Sequence, residues 1–128
     1  MGVQGKGMNL LFAIDEKPAP DISGLTYIPD FISRDEETAL LVAIDNALWS
    51  HDLKRRVQHY GYKYDYKARA VGRDSYLGPL PDWLQPTARK LLNENLFPRK
   101  PDQAIVNEYL PGQGIAAHID CEPCFDDT

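Results

Sequence analysis

Two residues near the C-terminal end of the sequence, His118 and Asp120, have the types and spacing to hold a metal. One is an imidazole and the other a carboxylate, two positions apart. On an extended backbone side chains repeat with period two, so both are expected to project from one face. Two imidazoles and one carboxylate on a common face are the set that holds Fe(II) while leaving coordination positions open for substrate and oxygen. His118 and Asp120 supply two-thirds of it. The ordinary alternative for a His-x-Asp is a surface histidine beside a turn aspartate, and the residues in front bear on the choice.

Asn107 and Tyr109 are again spaced by two, so an amide and a phenol are expected on one face of the preceding strand, able to hydrogen-bond an acidic cosubstrate. Gly112 and Gly114 in Pro111-Gly112-Gln113-Gly114 permit a tight turn that would bring this strand beside the one carrying His118. A plain hairpin with a buried tyrosine fits the same residues.

The elements that must position these groups are mixed. Ser33 followed by Glu36 is a capping box, and Leu40, Ile44 and Leu48 recur every four residues, which predicts a helix over about 33–48. A second helix is expected over about 83–95, with Pro86 in its first turn and Pro98 and Pro101 beyond its end. Leu10–Ile14 and Leu25–Ile28 read as short strands. Val57–Tyr66 alternates, with Tyr60, Tyr62, Tyr64 and Tyr66 on one face, and Gln103–Leu110 reads as a further strand. Residues 1–24, which include the semi-rigid Lys17-Pro18-Ala19-Pro20, are expected to be a loosely ordered segment and linker, and 25–128 a domain. The fold class is α+β.

Composition narrows the function. The 128 residues carry a net charge of −5, which argues against a protein that coats nucleic acid with its whole surface. No apolar run approaches the roughly 18 residues of a membrane span, and two cysteines are too few for a secreted disulfide scaffold. A cytoplasmic protein with no membrane association is the expectation. The charge is segregated, however. Of 14 basic and 19 acidic residues, Lys54, Arg55, Arg56, Lys63, Lys67, Arg69 and Arg73 fall within segment 53–73, against the single acid Asp65. Four of the seven tyrosines lie in the same window. Cations that hold phosphates and tyrosines that stack on exposed bases would make it a nucleic-acid surface. Tyrosines facing a core, with the cations as a solvated rim, are the alternative.

Asn107-Glu108-Tyr109-Leu110-Pro111-Gly112-Gln113-Gly114-Ile115-Ala116-Ala117-His118-Ile119-Asp120 resembles the AlkB-type 2-oxoglutarate- and Fe(II)-dependent dioxygenases, and is particularly similar to their tRNA wobble-uridine hydroxylase branch. Tyr27–Ile32 is like that family's first strand, Arg55–Tyr62 like its substrate-side lid, and Leu80–Leu84 like the start of its second helix, so the likeness covers roughly 25–128. It implies a double-stranded β-helix (jelly roll) with helices packed on one side of the sheet. It implies His118 and Asp120 as iron ligands, Asn107 and Tyr109 as contacts of 2-oxoglutarate, and Arg55, Arg56, His59, Tyr60 and Tyr62 as substrate contacts. The implied reaction consumes 2-oxoglutarate and O2 and hydroxylates or oxidatively dealkylates a nucleic-acid base, in tRNA or in alkylated DNA or RNA. A loop base is accessible to such a site, whereas a duplex base must be flipped out.

The sequence also departs from that pattern. The family carries a distal histidine and two arginines after the His-x-Asp, whereas here the other histidines are His51 and His59 and the last arginine is Arg99. A jelly roll needs about eight strands, and about five are expected. The expectation is the N-terminal part of an oxygenase domain, incomplete, weak in iron binding and inactive alone. A different class of function is open to Cys121-Glu122-Pro123-Cys124. With His118 these cysteines could supply three zinc ligands of a structural or nucleic-acid-binding module. They could equally be two free thiols in a loop.

Overall fold

The computed structural model describes residues 21–125, which divide into two compact units between Phe31 and Ile32. The expected strand at Leu10–Ile14 lies outside the described residues. In the first unit residues 21–31 form turns, one closed by the Leu25 N–H donating to the Ile22 carbonyl, and Leu25–Ile28 is not a strand.

The second unit opens with helix α1 (Arg34–Asn46). Its start is set by the capping box: the Glu36 N–H donates to Ser33 Oγ at 3.1 Å, and the Ser33 N–H to Glu36 Oε2 at 2.7 Å. Asp35, Glu36 and Glu37 stand at the positive end of the helix dipole. The helix ends two residues earlier than its apolar repeat suggests. Leu48 therefore lies outside it and is 96% exposed.

Strand β1 (Val57–Tyr60) pairs antiparallel with β2 (Ala104–Asn107), in a register that sets Val57 opposite Asn107 and Tyr60 opposite Ala104. β1 is shorter than its alternating pattern predicts because Gly61 leaves the strand at φ +76. A Cβ there would stand 1.8 Å from the Asp102 carbonyl oxygen, so only glycine fits this close approach. Beyond Gly61 the chain makes isolated bridges, Tyr62 to Tyr76 and Asp65 to Ala70. The four tyrosines consequently do not share a strand face. Helix α2 (Gln85–Asn93) has Pro86 in its first turn, and Asn95 at φ 55 ends it.

Alternation along β1 sends neighbouring side chains to opposite sides. On one side Gln58 Nε2 donates to the Ile44 carbonyl of α1, and Tyr60 donates to Gln58 Oε1 while standing edge-on to Trp83 at the foot of α2. Val57 and His59 face the other way, with Ile105 and Asn107 of β2 beside them. Val57 is fully buried, and Gln58, Leu80 and Ala88 are buried with it. The described residues thus form an α+β arrangement of two helices and a two-stranded antiparallel sheet. Residues 113–121 are irregular, not the strand expected to carry His118.

Candidate functional site

The side of the sheet turned away from the helices opens into a cavity of about 700 Å³. Ile105 and Asn107 form its floor. Arg55, Tyr64, Tyr66 and Arg69 line it from the basic segment, and Ile115 to Asp120 with Phe125 close it from the C-terminal segment. The His-x-Asp pair and the basic, tyrosine-rich window, about fifty residues apart in sequence, are walls of one cavity.

His118 and Asp120 converge without a strand to align them. His118 Nδ1 donates to the Ala116 carbonyl at 2.7 Å, which places the ring lone pair on Nε2. Nε2 lies 3.4 Å from Asp120 Oδ1. Two ligands each roughly 2.1 Å from one metal, at an angle between square and tetrahedral, stand roughly 3.0–3.4 Å apart, so this pair fits two adjacent coordination positions. A backbone carbonyl on the second ring nitrogen is how metal-binding histidines are commonly oriented. Among the described residues no third His, Cys, Asp or Glu joins them. The donor set fits a metal at two positions and supplies two ligands.

Asn107 ends β2 on the cavity side. Its Oδ1 accepts from Arg55 Nε at 2.9 Å, which directs the amide NH2 away from Arg55 as a donor with no partner among the described residues. The Arg55 guanidinium carbon is 5.7 Å from the ring centres of both Tyr66 and Tyr109. Arg55 therefore reaches both expected cosubstrate contacts, Asn107 through a hydrogen bond and Tyr109 through a cation–π contact, and a second cation–π contact joins it to Tyr66. The turn behind Tyr109 is closed by the Gln113 N–H on the Leu110 carbonyl, with Gly112 at φ +84.

The other expected substrate contacts are placed differently. Arg56 points to the opposite side, bidentate to Glu108 at 2.6 Å and 4.2 Å above the Trp49 ring. This pair holds the Glu108 carboxyl below its ordinary range, chiefly through the hydrogen bonds from Arg56. Tyr60 is engaged with Gln58 and Trp83 on the helix side, and Tyr62 packs against Tyr76. His59 sits against Tyr66 with both ring nitrogens buried and unpartnered among the described residues. Burial, and secondarily the charge of Lys63, pushes its pKa below the usual histidine value. None of these four lines the cavity, whereas Tyr64, Tyr66 and Arg69, which the sequence offered only as members of the basic segment 53–73 and not as individual substrate contacts, do. Period two had placed Tyr64 and Tyr66 with Tyr60, and the break at Gly61 separates them.

Cys121 and Cys124 form a disulfide. This corrects both the free-thiol and the zinc expectations: no thiolate is left beside His118 to complete a zinc set.

No family model matches the chain. Three curated relatives are informative. The chain is 40% identical over 115 residues to the Alkylated DNA repair protein ALKBH8 homolog of Arabidopsis thaliana, covering 84% of this chain and 32% of that protein. It is 39% identical over 112 residues to the mouse (Mus musculus) tRNA (carboxymethyluridine(34)-5-O)-methyltransferase ALKBH8, covering 81% of this chain and 17% of that protein. It is 37% identical over 98 residues to the Probable RNA/DNA demethylase ALKBH6 of Danio rerio, covering 73% and 39% respectively. The chain spans about a third or less of the length of the first two. Over most of its own length, this chain is a relative of the AlkB-type proteins.

Proposed function

We propose that this chain provides the metal- and cosubstrate-binding front of a 2-oxoglutarate- and Fe(II)-dependent dioxygenase that hydroxylates or dealkylates a nucleic-acid base, within a jelly-roll domain. The observation that carries it is the convergence in one cavity of His118, Asp120 and Asn107 with Arg55, Tyr64, Tyr66 and Arg69. The relatives are named for alkylated-DNA repair, tRNA modification and RNA/DNA demethylation, which favours a nucleic-acid substrate. Fe(II) with 2-oxoglutarate and O2 supplies the oxidation of a substrate C–H bond.

The chain's own residues do the rest. His118 Nε2 and Asp120 hold two coordination positions and leave the others open. Arg55 fixes the Asn107 amide so that its NH2 can donate to a carboxylate, and Tyr109 beneath the guanidinium can donate from its hydroxyl. Tyr64 and Tyr66, edge to face at 5.2 Å, offer a stacking surface for a base. Arg56 serves the site indirectly, as a strut between the segment before β1 and the end of β2. With two ligands among the described residues, the chain by itself is expected to bind metal weakly and to turn over little cosubstrate.

Anaerobic titration with Co(II), followed by its visible absorption, tests the metal assignment. Binding is expected to be lost in His118→Ala and in Asp120→Ala, and to persist after reduction of the protein and in Cys121→Ser. Binding that survives Asp120→Ala but is lost in His118→Ala and depends on reduced cysteines would refute the assignment and restore a zinc module. Rapid succinate release by the isolated chain would overturn its inactivity.

A further inference from the structure

Arg69 is an arginine in the left-handed region, at φ 52. Such a conformation is uncommon for a residue with a long side chain and persists only where the surroundings hold it. Here they do. The Asp65 N–H donates to the Ala70 carbonyl at 2.9 Å and the Ala70 N–H returns to Asp65 at 3.3 Å. Asp65 Oδ1 accepts from the N–H groups of Lys67 and Ala68 at 2.8 and 3.0 Å, and these two bonds hold its carboxyl below the ordinary range. The four residues between Asp65 and Ala70 are thus locked into one loop. Its result is that Arg69, not Lys67, lines the cavity with Tyr64, Tyr66, Asn107, His118 and Asp120.

The two cations of the cavity differ in what they are free to do. Arg55 is committed to Asn107 and to two tyrosine rings. Arg69 is exposed and has no hydrogen bond or ion pair among the described residues. A guanidinium offers a planar fork of donors suited to a phosphate. It stands on the same cavity wall as the tyrosine pair. Stacking a base on that pair carries its flanking phosphodiester toward this wall.

We infer that Arg69, held by the Asp65–Ala70 loop, grips a backbone phosphate of a single-stranded nucleic acid whose base enters the cavity beside His118 and Asp120. Arg69 is thereby a substrate-positioning residue. The inference rests on the nucleic-acid part of the proposed function and adds to it the residue and the backbone contact.

The test is fluorescence anisotropy of a labelled single-stranded RNA oligonucleotide with the full chain, repeated across NaCl concentrations, for the parent and for Arg69→Gly, Arg69→Lys and Lys67→Gln. Glycine suits the left-handed backbone, so Arg69→Gly should melt at or above the parent temperature while losing the cation. Its affinity is expected to fall about tenfold, the size of a lost charge-assisted hydrogen bond. The slope of log affinity against log salt should fall by about 0.7, one phosphate contact on a single strand. Arg69→Lys should recover most of the slope. Lys67→Gln, equal in charge change and on the same loop, should lose clearly less affinity. Unchanged binding by Arg69→Gly, or an equal loss in Lys67→Gln, overturns the phosphate grip alone. Failure of the parent to bind RNA at all overturns the grip and the nucleic-acid reading together.

Discussion

Substitution of Gly61 by alanine separates two physical costs that the structure locates at one residue. The first is conformational: φ +76 is left-handed, and an L-residue there costs about 1–2 kcal/mol. The second is steric. The new Cβ would lie 1.8 Å from the Asp102 carbonyl oxygen and 2.9 Å from its carbon, so backbone rather than a pliable side chain must yield. Asp102 and Gln103 lead directly into β2, and Gln103 Nε2 is itself bonded to the Tyr62 carbonyl at 3.1 Å. Displacing them strains the Tyr60–Ala104 end of the ladder and, beyond it, Ile105 and Asn107 on the cavity floor. A combined cost of about 4 kcal/mol is expected, at the upper end of single substitutions. Gly112→Ala provides the internal reference, because Gly112 has φ +84 but nothing within 4 Å of an added Cβ. It should cost the conformational term alone. For a domain of roughly 100 residues, each kcal/mol lowers the melting temperature by about 4–8 °C. Gly61→Ala should therefore melt at least about 8 °C below Gly112→Ala when both are followed by circular dichroism. Melting temperatures within about 3 °C of each other would refute the steric account and the close approach behind it.

Two further outcomes follow from the charged groups. The Glu108 carboxyl is lowered in the folded state by Arg56, so its stabilisation is present above the ordinary carboxylate pKa and lost as pH falls through the lowered one. Glu108→Gln should be less stable than the parent at pH 7, with the gap closing in strong acid. A gap that does not depend on pH, measured by denaturant titration, would count against this pairing. His59 is lowered by burial, so the unfolded chain takes up its proton first and the fold loses stability as pH drops below about 6.5. His59→Phe keeps a ring on Tyr66 and should flatten the melting temperature between pH 7.5 and 5. An unchanged decline would place the acid sensitivity elsewhere.

What could be read from the residues was what they do locally. Ser33 and Glu36 announced α1 because a capping box is complete within four residues. Pro86 marked the first turn of α2 for the same kind of reason. The pair His118 and Asp120 was legible, though not for the reason first apparent: an irregular segment, not a strand, brings them together. The tyrosine alternation misled because Gly61 obeys a contact with Asp102, forty-one residues away, that no local periodicity carries. Arg55 and Arg56 are adjacent and chemically alike in sequence, yet they point to opposite sides. Their partners, Asn107 and Glu108, each lie 52 residues downstream. Arg69 stood in the sequence as one cation among seven, and that it rather than Lys67 lines the cavity follows from a left-handed backbone held by Asp65, which spacing does not carry.

The β1–β2 register also dictates when the cavity can exist. Its innermost pair, Tyr60 with Ala104, closes a loop of about forty residues, which costs about 3 kcal/mol of chain entropy before any contact compensates. The local Asp65–Ala70 loop can shape one piece of wall beforehand, but the cavity's floor belongs to β2 and its basic wall to the residues around and after β1. The cavity therefore assembles late, in the same step as the ladder, and slowly for a chain of this size. A nascent chain that has not yet extruded Asn107 has neither floor nor amide. In denaturant, loss of the ladder and loss of the cavity are expected in a single transition.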